Sequence, residues 1–156
     1  MATIVVETII NAPIKRCFDL SRSIDLHKLS TAKTQEEAIA GRTCGLIEEG
    51  EFVTWRAIHL GIKQKLTVKI TKVKSPNYFR DEMVKGAFKS MHHEHIFEEQ
   101  NGQTLMKDVF VFESPLGFIG RAFNTIFLTD YMKVFLVERN AVIKQIAEGE
   151  GWKKLL

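Results

Sequence analysis

The sequence predicts an α+β fold, a strongly bent seven-stranded antiparallel sheet wrapped around one long C-terminal helix, with two short helices after the first strand. Three observations predict it. The stretch from Ser114 to about Gly149 is the longest helical pattern in the chain and the only one long enough to cover a sheet. Between Thr34 and Ser114 the pattern changes to period two, punctuated by turn signals at Gly41, Gly45, Gly50, Gly61, Pro76-Asn77, Gly86 and Asn101-Gly102, which is the spacing of an antiparallel meander. The N-terminal stretch from Thr3 to Ile10 is β-branched and apolar, and supplies a further strand.

Composition bounds what such a fold can be. A chain of 156 residues is expected to form one domain, residues 1–156, and to bury a real core without disulfides. Hydrophobic residues make up 45% and charged residues 26%, which places the chain among soluble globular proteins. No apolar run approaches the roughly 18 residues of a membrane span. The opening MATIVVETII has neither a basic n-region nor a cleavage site, so it reads as a strand rather than a signal peptide, and a cytoplasmic location is expected. Cys17 and Cys44 sit in no metal-like or C-x-x-C spacing and are read as buried or free thiols. A net charge of +3 without a concentrated basic stripe argues against a nucleic-acid partner.

Each element follows from local signals. After the first strand, Asn11-Ala12-Pro13 turns the chain into a short helix from Ile14 to Leu20 that carries Cys17 and Phe18 inward, and a second short helix follows around Ile24 to Leu29. Six strands are expected next, over Thr34–Ala40, Glu49–His59, Ile62–Val73, Tyr78–Lys85, Met91–Glu98 and Gln103–Glu113. Ser114 and Pro115 offer an N-cap and a first helical proline. Beyond them Ile119, Phe123, Ile126/Phe127, Val134, Val137, Ala141 and Lys144/Ala147 recur at helical spacing and predict the stripe turned to the sheet. Phe118, Phe123, Phe127 and Phe135 are expected in the core. The stretch from Pro115 to Gly120 lacks a phosphate-binding spacing and reads as a helix entrance near a pocket mouth.

Strand parity decides what faces the helix. Leu66, Val68 and Ile70 alternate with polar neighbours and point inward. A two-residue turn at Leu60-Gly61 then pairs Val53 with Val68, Trp55 with Leu66 and His59 with Ile62. Asn101-Gly102 is the strongest hairpin signal, and it sets Phe97 opposite Met106, His95 opposite Asp108 and His93 opposite Phe110. A short turn at Gly86 to Phe88 brings Asp81 opposite His93. His59, Asp81, His93, His95 and Asp108 thus share the concave face with Trp55, Phe79, Met83, Phe97 and Met106.

Five ionisable groups on an apolar face need partners or water, and a pocket explains them better than a dry core. Cross-strand neighbours lie about 5 Å apart, so the expected dyads are His95 with Asp108 and His93 with Asp81. Such dyads fix an imidazole tautomer and leave the other nitrogen for acid–base work. Metal binding is a second possibility, because His-x-His on a strand places two imidazoles on one face about 7 Å apart. A third is that the groups satisfy one another around a cavity. No metal and no cofactor is assigned. Arg56 and Arg80 fall on the outward parity, whereas Arg139 and Glu37 have no assigned direction.

These residues resemble the START/polyketide-cyclase/pollen-allergen superfamily, SRPBCC, over essentially the whole chain. The resemblance rests on Ile10-x-Ala12-Pro13-Ile14-x-x-x-Phe18, on Gly41 with Gly45-Leu46, and on Val53-Thr54-Trp55-x-x-x-His59. It continues through Phe79-x-Asp81-x-Met83-x-x-Gly86-x-Phe88, His93-x-His95-x-Phe97, Thr104-x-Met106-x-Asp108 and Pro115-Leu116-Gly117. Within the superfamily the chain is similar to the small bacterial ligand-binding members. The resemblance implies a helix-grip fold with a hydrophobic cavity between sheet and helix, and a lipid-like, sterol-like or polyketide-like ligand. On that basis the protein is expected to bind a small, largely hydrophobic molecule as a carrier or sensor. Trp55, His59, Phe79, Asp81, Met83, His93, His95, Phe97, Met106 and Asp108 are the expected ligand contacts. The alternative is an acid–base enzyme of the polyketide cyclase/dehydratase type, with His95 and Asp108 as base pair and His93 and Asp81 as complementary acid.

Overall fold

The computed structural model describes residues 1–114 and 127–156. The strands are β1 (Ala2–Ile10), β2 (Glu37–Gly41), β3 (Phe52–His59), β4 (Ile62–Lys74), β5 (Tyr78–Lys85), β6 (Ser90–Gln100) and β7 (Gln103–Glu113). Two short helices, α1 (Ile14–Ser21) and α2 (Ile24–Ser30), follow β1, and α3 (Thr129–Glu148) lies near the C-terminus. The sheet order is β1-β7-β6-β5-β4-β3-β2, antiparallel throughout, so the first strand pairs with the last and the meander runs outward from there.

Turn chemistry sets the register as expected. Asn101 and Gly102 both have positive φ, 51° and 81°, as a primed two-residue turn requires, and His95 pairs with Asp108 and Phe97 with Met106. Leu60 and Gly61 adopt the same conformation, which pairs Trp55 with Leu66 and His59 with Ile62. Asp81 lies opposite His93. Two strand starts come later than the pattern predicts. Ala32–Thr34 forms a 3₁₀ turn followed by left-handed Gln35, which delays β2 to Glu37. A turn closed by the Glu51 amide on the Glu48 carbonyl, with Gly50 at φ 86°, delays β3 to Phe52.

The short helices close one end of the bent sheet. Ser23 caps α2 by accepting from the Leu26 amide at 3.1 Å, and Asp25 in the first turn complements the helix dipole. Phe18 of α1 packs edge-on to Phe79 and Phe97, with ring centroids 5.7 and 5.6 Å away, and fills that end of the core. Lys144 donates to the Ile9 carbonyl and Glu148 accepts from the Asn11 amide, which pins α3 along β1. The Arg16 guanidinium stacks on Trp152 at 3.9 Å and ties the C-terminal segment to α1. Cys17 is a buried free thiol and Cys44 an exposed one.

The inward stripe of α3 differs from the expected one. Val134 and Val137 are 57% and 47% exposed, Ala141 is exposed and Phe127 is 45% exposed. Ala147 is buried as expected, but Met132, Leu136, Arg139, Asn140 and Ile143 share its face, and Phe135 packs against the core partly covered. Two features suit this face to the interior: Met132, Leu136, Ile143 and Ala147 form an apolar stripe, and Asp108 on β7 is fully buried and needs the donors beside it. The helix therefore turns the Arg139-Asn140 face inward and leaves the valines to solvent. The expected helix start after Ser114, the stripe residues Ile119, Phe123 and Ile126, core residue Phe118 and the 115–120 entrance lie outside the described residues. No helix among the described residues is long and apolar enough to cross a membrane.

Candidate functional site

Between the concave face of the sheet and α3 lies a cavity of about 430 Å³. Its walls are mainly apolar and include Val53, Trp55, Val68, Ile70, Phe79, Phe110 and Leu136. Well-packed interiors leave few voids larger than a water molecule, so a space of this size is a built feature of the fold. Exposed Leu60 and Ile62 also line it, and mark where it opens to solvent.

The first polar group in the cavity is built from β5, β6, β7 and α3. Asp81, His93 and His95 reach the inner face by strand alternation, and Arg139 reaches it from the helix. The side chains do not pair straight across the strands as expected. His93 Nε2 donates to Asp108 Oδ1 at 2.7 Å, and His95 Nε2 donates to Asp81 Oδ2 at 2.9 Å. Both hydrogen bonds run diagonally across the sheet, because the rings stack. Phe79 lies parallel to His95 at 4.0 Å between centroids, and His95 lies 3.8 Å from His93, much closer than the strand rise alone would place them. His95 Nδ1 comes within 3.3 Å of Asp108 Oδ1 but off the line of a hydrogen bond.

Asp108 collects the donors of α3 as well. Asn140 Nδ2 donates to its Oδ2 at 2.7 Å, and Arg139 Nη1 donates to its Oδ1 at 3.3 Å and to Asn140 Oδ1 at 3.1 Å. Burial by itself raises the Asp108 pKa, but the His93 hydrogen bond, the His95 imidazole and the Arg139 charge hold it well below the usual carboxylate range. Asp81 is lowered too: burial opposes this, and the His95 hydrogen bond with the His93 and His95 charges outweighs it. Burial and the adjacent His95 push His93 down to about 4, against the pull of Asp108. His95 is raised, since Asp108 and Asp81 together overcome its desolvation. With His95 protonated, the group holds two carboxylates, one guanidinium, one imidazolium and one neutral imidazole, and its charges balance.

A second polar group lines the same cavity on the opening side. Glu36 Oε2 accepts from His27 Nε2 at 2.6 Å, and Glu36 Oε1 lies 3.5 Å from His59 Nε2. His59 Nδ1 and the Tyr131 hydroxyl are 2.8 Å apart, and His27 stacks on Trp55 at 4.3 Å. Burial raises Glu36, yet the two imidazoles override it and lower its pKa to about 2.

The expected contacts therefore divide. Trp55, His59, Phe79, Asp81, His93 and His95 line the cavity, whereas Met83, Phe97, Met106 and Asp108 do not. Phe97 and Met106 are consumed in packing under α1, where Ser21 Oγ lies 3.4 Å from Met106 Sδ. Met83 is packed beside Gly86 at the irregular end of the β4–β5 pairing. Asp108 sits behind His93 and Arg139. His59, expected beside the other histidines, joins Glu36 and Tyr131. Arg56 and Arg80 pair with Glu37 and Glu82 on the outer surface, as their parity predicts. Glu36, His27, Tyr131 and Arg139 had no assigned role in the sequence reading. For Arg139 the signal existed, since an inward Asp108 demands a cation and Arg139 falls in register with Met132, Leu136 and Ile143. The long-range approach of Glu36, from an irregular segment, to His59 has no sequence signature.

Asp81, His93 and His95 each bring one ligand atom within 4.8 Å of the others, a geometrically possible metal group. The Nε2 atoms of both histidines are directed at carboxylates.

No protein-family model matches the chain, and no curated protein sequence does. Solved structures do resemble it. The protein TTHA0849 of Thermus thermophilus superposes with a TM-score of 0.75 at 16% identity, over 92% of this chain and 95% of its own. Ginseng major latex-like protein 151 of Panax ginseng gives 0.71 at 15% identity, over 95% and 98%. Ara h 8.0201 gives 0.60 at 14%, over 91% and 97%. Together with the seven-stranded sheet closed around α3, these likenesses establish that the chain carries the helix-grip fold of the SRPBCC, or Bet v 1-like, proteins.

Proposed function

We propose that this protein binds one small, largely apolar molecule in the cavity between the sheet and α3, as a carrier or sensor in the cytoplasm, with no nucleic-acid partner. The observation that carries this reading is the cavity itself. About 430 Å³ of space stays open in an otherwise close-packed core, walled by aliphatic and aromatic side chains with a few convergent polar groups. An apolar body of the ligand would lie against Trp55, Val68, Ile70 and Phe110, with its polar end toward Asp81, His93, His95 and Arg139. The acid–base alternative draws less support, because Asp108 does not line the cavity and the carboxylates of Asp81 and Asp108 are engaged by the histidines and, for Asp108, by Arg139 and Asn140 of α3.

The test is native mass spectrometry of untagged protein, followed by denaturing extraction. The expected result is a co-purifying apolar molecule at near one per chain, absent from Ala57→Phe, whose ring would enter the cavity from β3. Protein that is empty as purified and takes up no apolar fluorescent probe at micromolar concentration would sink the proposal.

A further inference from the structure

We propose that the polar end of the ligand is an uncharged hydroxyl, accepting from the Arg139 guanidinium and donating to His93 Nδ1. This rests on the cavity-binding reading above and names the chemistry of its polar end. His93 Nε2 carries the hydrogen, because it faces the oxygen of an ionised carboxylate at 2.7 Å. Its Nδ1 is then a bare acceptor, with no hydrogen-bond partner among the described residues, on a side chain that lines the cavity. Arg139 spends only Nη1 on Asp108 and Asn140. Its Nε and Nη2 have no hydrogen bond to a described residue, and its side chain also lines the cavity. His93 and Arg139 both donate to Asp108 Oδ1 and both line the cavity, so the unused acceptor and the unused donors belong to two side chains that meet at one carboxylate.

Two constraints then select the ligand group. With His95 protonated the surrounding charges balance, so an ionised ligand group would then leave an uncompensated charge in a buried place. The group must also donate and accept. A ketone, ester or ether only accepts, an ammonium only donates, and a hydroxyl does both from a single atom. Water meets the same demand when no ligand is bound, which keeps His93 and Arg139 satisfied in the free protein.

The experiment compares three probes of one shape on the wild-type protein at pH 7 by calorimetry: 2-naphthol, 2-methylnaphthalene and 2-naphthoate. 2-Naphthol is expected to bind about tenfold more tightly than 2-methylnaphthalene, as two buried hydrogen bonds in exchange for those to water allow. 2-Naphthoate is expected to bind most weakly. In His93→Phe the ratio between 2-naphthol and 2-methylnaphthalene should fall toward one. Equal affinity of 2-naphthol and 2-methylnaphthalene for the wild type overturns the hydroxyl and leaves the apolar cavity standing. Tighter binding of 2-naphthoate overturns it differently, by making Arg139 an anion contact. Failure of all three to bind counts against the cavity-binding reading and takes this inference with it. The wild-type series decides the matter even where the variant does not fold.

Discussion

Asp108 shows how one buried charge dictates its surroundings. It is fully buried and ionised, and His93, Asn140 and Arg139 all turn donors toward it from two elements. Removing it leaves the Arg139 guanidinium buried with Asp81 as its remaining counter-charge, and breaking such a pair typically costs about 3–5 kcal/mol. We expect that loss for Asp108→Ala in urea unfolding at pH 7, and a similar one for Arg139→Met. The double variant Asp108→Ala with Arg139→Met should lose less than the sum, by about 1–3 kcal/mol, because neither charge is left alone. Strict additivity would show that the two groups do not stabilise each other. A second expectation concerns the protons. His93 lies down at about 4 while His95 is raised, so at pH 6 nitrogen NMR should find His93 neutral with its hydrogen on Nε2 and His95 carrying two. A protonated His93 at that pH would refute the acceptor role of its Nδ1.

Among the elements, the strands were legible and the helix face was not, for a physical reason. A strand has a side-chain period of two, and a primed two-residue turn ties the parity of one strand to the next, so Asn101-Gly102 and Leu60-Gly61 together place His59, His93, His95 and Asp108 on the inner face. Helical spacing leaves the choice of face to composition, and hydrophobicity alone favours Val134 and Val137 over Arg139 and Asn140. The choice between that face and the stripe of Met132, Leu136, Ile143 and Ala147 also depends on the sheet's buried carboxylate, information that lies far away in sequence. The swap of dyad partners has the same origin: register fixes which Cα atoms are opposite, while ring stacking on Phe79 decides which nitrogen meets which oxygen. The Leu60-Gly61 turn carries a local conflict worth measuring. Leu60 holds φ at 55°, a region that suits asparagine or glycine and is unfavourable for leucine, while its side chain lines the cavity opening half exposed. Leu60→Asn should therefore raise stability by about 0.5–1 kcal/mol in thermal or urea unfolding while weakening uptake of apolar probes. A variant no more stable than the wild type would mean that the apolar contacts of Leu60 outweigh its backbone strain.

At the scale of the whole molecule, Glu36 is where separate parts of the chain are fastened together. It sits between the 3₁₀ turn and β2, accepts from His27 of α2, lies beside His59 of β3, and through His59 reaches Tyr131 in the first turn of α3. Helix α2, the β3–β4 end of the sheet and the start of α3 thus meet on one buried carboxylate at the open side of the cavity. Its pKa of about 2 in the folded protein, against an ordinary 4.5, gives that fastening a pH dependence of definite sign. Above pH 4.5 Glu36 is ionised whether folded or unfolded, and its stabilisation is fully present. As pH falls from 4.5 toward 2 the unfolded chain takes up the proton first, and the stabilisation is lost progressively. The difference of about 2.5 units corresponds to an upper figure of about 3 kcal/mol. Glu36→Gln keeps the shape and loses the charge, so it should be about 2–3 kcal/mol less stable than the wild type at pH 6. That gap should narrow steadily when urea unfolding is repeated at pH 4 and pH 3. Hydrogen exchange should also quicken in α2 and in the first turn of α3 before it does in β6 and β7, since the latter keep their own hydrogen bonds and the Asp108 group. A gap that stays constant with pH would assign Glu36 a packing role alone, and the cavity opening would then owe its closure to Trp55, Tyr131 and Phe135 rather than to charge.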